Sequence, residues 1–578
     1  MTPMALVRVR TRVGLALAAA AVAVAGAVAL AVWQPDRPEV LAPPPARPPG
    51  LADLWAGRAS LVLDRKWTST SLGMPGGGGY AGAHVEVVGD RWYLFNRRTD
   101  PGTCPGKGAG TSPMATLVRA SEDGGRTWGA PAPAIAPTPG TPWECAATDG
   151  DATFDPKAGI WRYLFQCMGP ASGWHGCYAE RKAADPVGPF EAPAGVNPVI
   201  APGALWNRIC DDPKEDRCAR HAGPTAVSQE GTFNVFDRDD GSWWVGFHGY
   251  DGKYGYRGLA RTTSFRRDDW KVGGEDGTPA DAIMDAGDAA GWRETWRDGG
   301  PVGPGAASVL KEGGAYYQLV EVPDVDLACS PGQNWDLGLL RTTDLASTRW
   351  EQFPGGNPIV YSSRQPGADG QSAMCNVEYP SLFKDAGGVT YLMHGRISSD
   401  PANDGIYVYR LEWDRNLLRN GTLWRADGEG WSALPGTGAQ MSVERYPDGS
   451  PDGTPWLAVA CGSTGCDGRQ AVFQDIRVDP GDAGAELAFG GTFRIDQGEG
   501  RVQLGLLQLD ESGAVVDATG VPVTAGAAYA QVRGRFTIDD RARRLRLQIV
   551  PLTPGRFGVD NLYVIPQAGC AAPRFPAC

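Results

Sequence analysis

Five times along this chain the same short grammar recurs, and that recurrence limits the available folds more than any other feature. Its plainest copy is residues 230–261, EGTFNVFDRDDGSWWVGFHGYDGKYGYRGLAR. It reads as a strand opened by a carboxylate, a DRDDG turn, an apolar-aromatic strand, a loop and a third strand. Aligning on the second strand gives five anchors, Trp92, Trp161, Trp243, Tyr316 and Tyr391, spaced 69, 82, 73 and 75 residues apart. A Gly/Asp turn precedes each one (VGDR, DPKAG, DRDDG, KEGG, KDAGG). The third strands correspond as well: ATLVRAS, GCYAERKA, RGLARTT, LGLLRTT and IYVYRLE. A fourth element follows several of them, near GPFEAP, DWKV and RWEQF. One such sheet cannot bury both faces, whereas five arranged radially can. The expectation is an all-β chain whose residues 52–432 form a five-bladed β-propeller with long inserts gathered on one face. The 80 glycines, 47 prolines and 20 tryptophans suit many short strands joined by turns.

Residues 121–128, SEDGGRTW, match the Asp-box pattern S-x-D-x-G-x-T-W. Such a hairpin uses its Asp and Ser to cap turn amides while the Trp packs beneath. It is a folding device on a blade rim and receives no catalytic role. From about residue 433 to 578 the pattern changes. AVFQDIRV, AELAFGGTFRI, RVQLGLLQLD, AQVRGRFTI, RRLRLQIVP and FGVDNLYVI alternate apolar and polar residues, which predicts a two-sheet sandwich or jelly roll. The closing GVDNLYV is similar to the last strand of carbohydrate-binding modules of families 4, 9 and 22.

Arg8, Arg10 and Arg12 precede an uncharged run from Val13 to Trp33. That length suits a bilayer-spanning segment or a long signal peptide, with the remainder outside the cytoplasm. Residues 1–33 are thus expected to be removed or to anchor the chain in a membrane, and the Pro-rich 34–51 to be an extended spacer. Membrane contact is expected only through that segment. Twelve cysteines fit an oxidising compartment. Cys167/Cys177, Cys210/Cys218, Cys461/Cys466 and Cys570/Cys578 are close pairs. Cys104, Cys145, Cys329 and Cys375 would have to pair at longer range. The formal charge of −12 has no Lys/Arg-rich cluster to offset it, which excludes nucleic acid as an expected partner. No cofactor is implied, although a structural calcium ion is compatible with the fold.

In a propeller the first strand of every blade lines the central channel. Ionisable residues at its start are site candidates because packing explains them poorly. Blade 1, AGAHVEVV, offers His84. Blade 2, ATDGDATF, offers Asp149 and Asp151. Blade 3, QEGTFNVF, offers Glu230, and blade 5, CNVEYPSLF, offers Glu378. Blade 4, GPGAASVL, offers only glycines that leave room. His248 and His394 stand at matching ends of second strands. Trp174, Trp206 and Trp335 fall in the long connections. Glu86 reads as a structural or solvated group. Asp64, in LVLDRKW, is a further acid with a route to the channel.

These stretches resemble the five-bladed glycosidases of family 43 and their relatives. EGTFNVFDRDDGSWWVGF and EYPSLFKDAGGVTYLM are similar to the family's acid-bearing stretch, and DGDATFDPKAGIWRYLF to its Asp-bearing second stretch. The likeness implies a glycoside hydrolase acting on a polysaccharide or cell-surface glycan, with Glu230 as general acid and Asp149 as base or as a carboxylate tuning the acid. Glu378 would be the alternative acid or a sugar ligand. His84, Asp151, His248 and His394 would bind substrate. The chain departs from the family at blade 1, where Ala83-His84-Val85 replaces the usual Asp, leaving the base unassigned. A catalytically silent glycan-binding propeller is the alternative that this departure favours.

Overall fold

The computed structural model describes residues 46–566 apart from parts of the connections, the longest being 201–228, 273–304, 361–375, 324–334 and 445–455. The expected membrane segment, Trp206, and the cysteines at 210, 218, 329, 375, 466, 570 and 578 lie outside the described residues. No described helix is long and apolar enough to cross a membrane.

The chain is all-β. A short helix α1 (Leu51–Trp55) leads into β1 (Ala59–Trp67). Blade 1 comprises β2 (His84–Val88), β3 (Arg91–Thr99), β4 (Met114–Ser121) and β5 (Ala132–Ile135). Blade 2 comprises β6 (Ala146–Asp155), β7 (Ile160–Met168) and β8 (His175–Arg181). Blade 3 comprises β9 (Gln229–Asp237), β10 (Trp243–Tyr250), β11 (Gly255–Thr262) and β12 (Lys271–Val272). Blade 4 comprises β13 (Ala307–Glu312), β14 (Ala315–Pro323), β15 (Trp335–Thr342) and β16 (Glu351–Gln352). Blade 5 comprises β17 (Asn376–Lys384), β18 (Thr390–Ile397) and β19 (Gly405–Trp413). Its outermost strand is β1, paired antiparallel with β19. The two ends of the repeat region therefore share one sheet. Asp64 sits on that outer strand, bound to Arg65 and Arg410, and so is remote from the channel.

The first strands pack in a closed cycle: β2 against β6, β6 against β9, β9 against β13, β13 against β17, and β17 back against β2. Each anchor aromatic is buried, and the blade-to-blade cores are built on them. An innermost strand has no sheet partner on its axial edge, so its amides need other acceptors. Side chains of the adjoining blade supply them. His84 Nε2 accepts from Ala152 N at 2.9 Å, Asp151 from Val235 N at 2.7 Å, Ser308 from Leu382 N at 3.0 Å and Ser381 from Val85 N at 3.4 Å. Among the described residues, four of the five blade junctions are bridged in this way.

The Asp-box forms as its residues dictate. Asp123 accepts from Arg126 N and Thr127 N, both at 2.9 Å, and Ser121 Oγ accepts from Gly125 N at 2.8 Å. Trp128 meets Trp67 edge-on at 4.9 Å, which pins blade 1 to the outermost strand of blade 5. Cys167–Cys177 is bonded, as its spacing suggested, and Cys104 pairs with Cys145 across 41 residues. Cys461 is also disulfide-bonded. Replacing both Cys167 and Cys177 by Ser is expected to cost about 2–3 kcal/mol from the 10-residue separation, read as a lower denaturation midpoint.

The C-terminal part is a sandwich of two five-stranded antiparallel sheets. One holds β20 (Ser432–Ala433), β23 (Val472–Arg477), β25 (Arg501–Leu509), β26 (Val515–Thr524) and β28 (Arg544–Pro551). The other holds β21 (Ala439–Glu444), β22 (Trp456–Cys461), β24 (Glu486–Gly498), β27 (Ala530–Thr537) and β29 (Gly555–Pro566). Leu457, Phe489, Leu504, Leu547 and Phe557 meet between the sheets. Leu417, Leu418 and Trp431 join that core. Asn416 donates to Leu562 O at 2.6 Å and accepts from Val564 N at 3.0 Å. The sandwich thus begins upstream of residue 433.

Candidate active site

The five innermost strands enclose a cavity of about 340 Å³, lined from Gly82 and Asp149 at one end to Lys384 at the other. Three of these strands carry the same irregularity. β6 slips register between Thr148 and Asp151, β17 between Glu378 and Ser381, and β9 opposite Gly246 and His248. At each bulge a non-glycine residue is left-handed: Asp149 at φ 48°, Tyr379 at φ 52° and Thr232 at φ 39°. Bulges re-aim side chains, and left-handed backbone is costly away from glycine. All three residues line the cavity.

Asp149 is the most heavily tied carboxylate of the cavity lining. Arg97, reaching in from the second strand of blade 1, donates Nε to Asp149 Oδ1 at 2.9 Å and its terminal nitrogen to Oδ2. The same nitrogen meets the Tyr379 hydroxyl, and the guanidinium lies 5.2 Å from that ring's centre. Tyr379 Oη donates to Asp149 Oδ2 at 3.3 Å, and Thr148 Oγ1 donates to Oδ1 at 2.8 Å. Gly82 is left-handed at φ 61°, and a Cβ there would lie 2.5 Å from Asp149 Oδ1. The glycine at 82 thus leaves room for the Asp149 carboxylate.

Glu378 lies beside this group and is 8 % exposed. Its Oε1 is buried with no hydrogen-bond partner among the described residues. Burial first, then the charge of Glu321, push its carboxyl up to about 8 against the pull of Arg97. Glu321 comes from β14, the second strand of blade 4. It accepts from Ala306 N at 2.7 Å and from Tyr379 N. Burial raises its carboxyl to about 7, held there by those two bonds and by Arg257.

The remaining sequence candidates divide. His84 and Asp151 line the cavity, yet each is engaged by a neighbouring blade's amide. His84 also stacks on Phe95 at 4.8 Å, and burial lowers it to about 3. A neutral ring with Nε2 as acceptor fits that value. Burial raises Asp151 to about 7, opposed by Val235 N. Glu86 lines the same wall, raised to about 8 by burial and then by Asp151, so it belongs to the channel rather than to solvent. His394 and His248 stand on second strands and, like Glu378, Glu321 and Arg97, are not among the residues lining the cavity. His394 is stacked on Tyr407 and Tyr409 and lowered to about 3 by burial, then by Arg396. His248 is lowered to about 3 by burial, then by Arg257.

Glu230 opens β9 opposite Gly249, and Glu378 opens β17 opposite Gly395. His248 and His394 precede those glycines, so the two backbone positions are equivalent. The Glu230 side chain lies outside the described residues. Trp174 packs on the Cys104–Cys145 cluster. Trp335 begins β15, its ring about 3.0 Å from a Cβ built on Gly305. Among the described residues no group of three or more His, Cys, Asp or Glu is placed to hold a metal ion.

Sequence reasoning missed Arg97, Tyr379 and Glu321. Tyr379 was within reach, since it stands where Asp149 stands when the repeats are aligned on their anchors. Arg97 and Glu321 lie beyond the ends of the aromatic second-strand motifs, where no local pattern marks them.

No family model matches this chain, and no curated protein matches it. Solved structures do show similarity. A thermostable family-43 glycoside hydrolase is 12% identical over 59% of this chain and 95% of its own, with a TM-score of 0.37. A family-43 arabinoxylan arabinofuranohydrolase from Bacillus subtilis, in complex with cellotetraose, is 12% identical over 85% and 96%, with a TM-score of 0.34. A structure described as CBM4 is 18% identical over 26% of this chain and 99% of its own, at 0.21.

Proposed function

We propose that this chain is an extracytoplasmic glycoside hydrolase that cleaves a polysaccharide or cell-envelope glycan at the cavity mouth. The observation that carries the reading is a pair of carboxyl groups held in unlike surroundings within one cluster. Asp149 is bound by the Arg97 guanidinium. Glu378 is buried with an unsatisfied oxygen beside a second acid, which suits the neutral carboxyl. Glycoside cleavage needs such a pair. Glu378 gives its proton to the glycosidic oxygen as the C–O bond breaks and the bonding electrons pass to that oxygen. Water adds its oxygen to the anomeric carbon, and Asp149 takes the released proton. Glu230, at the equivalent backbone place in blade 3, is the second candidate acid. The sequence resemblance to family 43 supports the same reaction.

The test uses the full chain with a panel of aryl glycosides and with arabinan, xylan and galactan, following released reducing sugar. Sugar release that survives Glu230→Gln and is lost in Glu378→Gln assigns the acid to Glu378, and the reverse assigns it to Glu230. Loss in neither variant removes the proposed chemistry. Glycan-array binding without release would favour a binding protein. The feature that supports this second reading is the commitment of His84 and Asp151 to inter-blade hydrogen bonds.

A further inference from the structure

The proposed reaction leaves Glu321 without a role. We infer that Glu321 is a positioning residue, whose carboxylate fixes the bulge next to Glu378 and keeps that neighbour as the proton donor. This rests on the reading of Glu378 as the acid.

The placement is specific. Glu321 is 5 % exposed, on a second strand behind the innermost layer. Its main chain already pairs locally, with Gly305 N donating to Glu321 O and Glu321 N to Ala306 O, both at 2.9 Å. Its side chain is therefore not needed to hold β13 to β14. One oxygen takes Ala306 N, and the other crosses to blade 5 and takes Tyr379 N. Tyr379 is the left-handed residue that follows Glu378, so this bond holds the bulge that sets both side chains. A Cβ at residue 305 would lie 2.4 Å from Glu321 Oε2, so the glycine there makes room for the carboxylate.

The chemistry follows from the donors. The two N–H bonds favour the Glu321 anion against the burial that raises it to about 7, so it is charged over the range in which Glu378, at about 8, loses its proton. An anion beside a second buried carboxyl opposes that group's ionisation. The charged groups around Glu378 are Glu321 from β14, Asp149 from β6 and Arg97 from β3, with Tyr379 next in the chain. On the paired strand β18 its partner Gly395 is flanked by His394 and Arg396. Arg257, from β11, acts on Glu321. Asp149 adds to the effect of Glu321, and Arg97 opposes it while bound to Asp149.

Glu321→Gln in the full chain keeps the size of the side chain and one acceptor oxygen but removes the charge. The alkaline limb of the kcat/KM–pH profile is expected to move down by about one pH unit, a tenfold change in the Glu378 proton affinity. The infrared band of the protonated carboxyl, assigned by its loss in Glu378→Gln, is expected to titrate lower by the same amount. An activity loss that is equal at all pH values, with both titrations unmoved, would overturn the inference and leave Glu321 a structural clamp. If Glu321→Gln does not fold, the wild-type band decides: loss of the proton in the ordinary carboxyl range defeats the inference. Absence of sugar release by the wild-type chain would defeat the hydrolase reading separately, and the infrared titration would still report whether Glu321 governs Glu378.

Discussion

Glu378→Gln is expected to lower kcat/KM by about 10²–10⁴-fold while leaving the fold at least as stable as the wild type at alkaline pH. The two halves of this expectation have one origin. Glu378 is buried and its carboxyl is held at about 8, so near neutrality it is an uncharged acid. Gln matches that form in size and charge but has no proton to give. Its Oε1 has no partner to lose. The stability effect has a definite sign. Because the folded value lies above the ordinary one near 4.5, the folded chain keeps a proton that the unfolded chain has released. This contribution is fully present below about pH 4.5, declines as pH rises and is gone above about 8. The variant lacks that decline. Melting wild type and variant at about pH 5 and about pH 9 checks it: the variant should gain relative to the wild type at the higher pH. A variant that keeps full activity, or that melts far below the wild type at pH 9, would remove Glu378 from the acid role.

The second large effect is expected at Arg97. Arg97→Met should destabilise the chain by about 3–5 kcal/mol, the usual cost of stranding a buried charge. Asp149's side chain is only 6% exposed and Arg97's 19%, so little water is available to replace the guanidinium. Tyr379 would lose its cation partner too. Adding Asp149→Asn to Arg97→Met removes the stranded charge and is expected to recover more than half of the loss. Asp149→Asn alone should also destabilise, because it leaves the guanidinium unpaired. Denaturant titration of the two single variants and the double variant gives the coupling. Strict additivity, or an Arg97→Met chain within about 1 kcal/mol of wild type, would mean that the pair does not hold the mouth together.

How far the chain could be read before its structure was known follows from the range of the forces involved. The anchors Trp92, Trp161, Trp243, Tyr316 and Tyr391 and the turns before them are local signals, and each marks a second strand that the structure contains. The Asp-box is local as well, completed within eight residues. Asp149 and Glu378 could be named because an acid at the start of an innermost strand has no packing reason to be there. His84 and Asp151 were named by the same rule, and their inter-blade hydrogen bonds come from the geometry of ring closure rather than from any motif. Glu86 was passed over because its depth in the channel depends on how far Thr153 and Phe154 of the next blade lie from it, and they turn out to be its hydrogen-bond donors. β1 carries no mark of being blade 5's outer strand, because its partner β19 lies more than 300 residues away.

By itself, then, the sequence determined that the chain is all-β, that five similar sheets precede a sandwich, and which acids open the innermost strands. Alternation, turn residues and repeat spacing act over a few bonds and need no partner. The tertiary structure alone decided which groups surround each acid. Arg97 stands 52 residues from Asp149, Tyr379 another 230 beyond, and Glu321 58 residues before Tyr379. Protonation depends on burial and on neighbouring charge, and both come from blades that meet only when the ring closes.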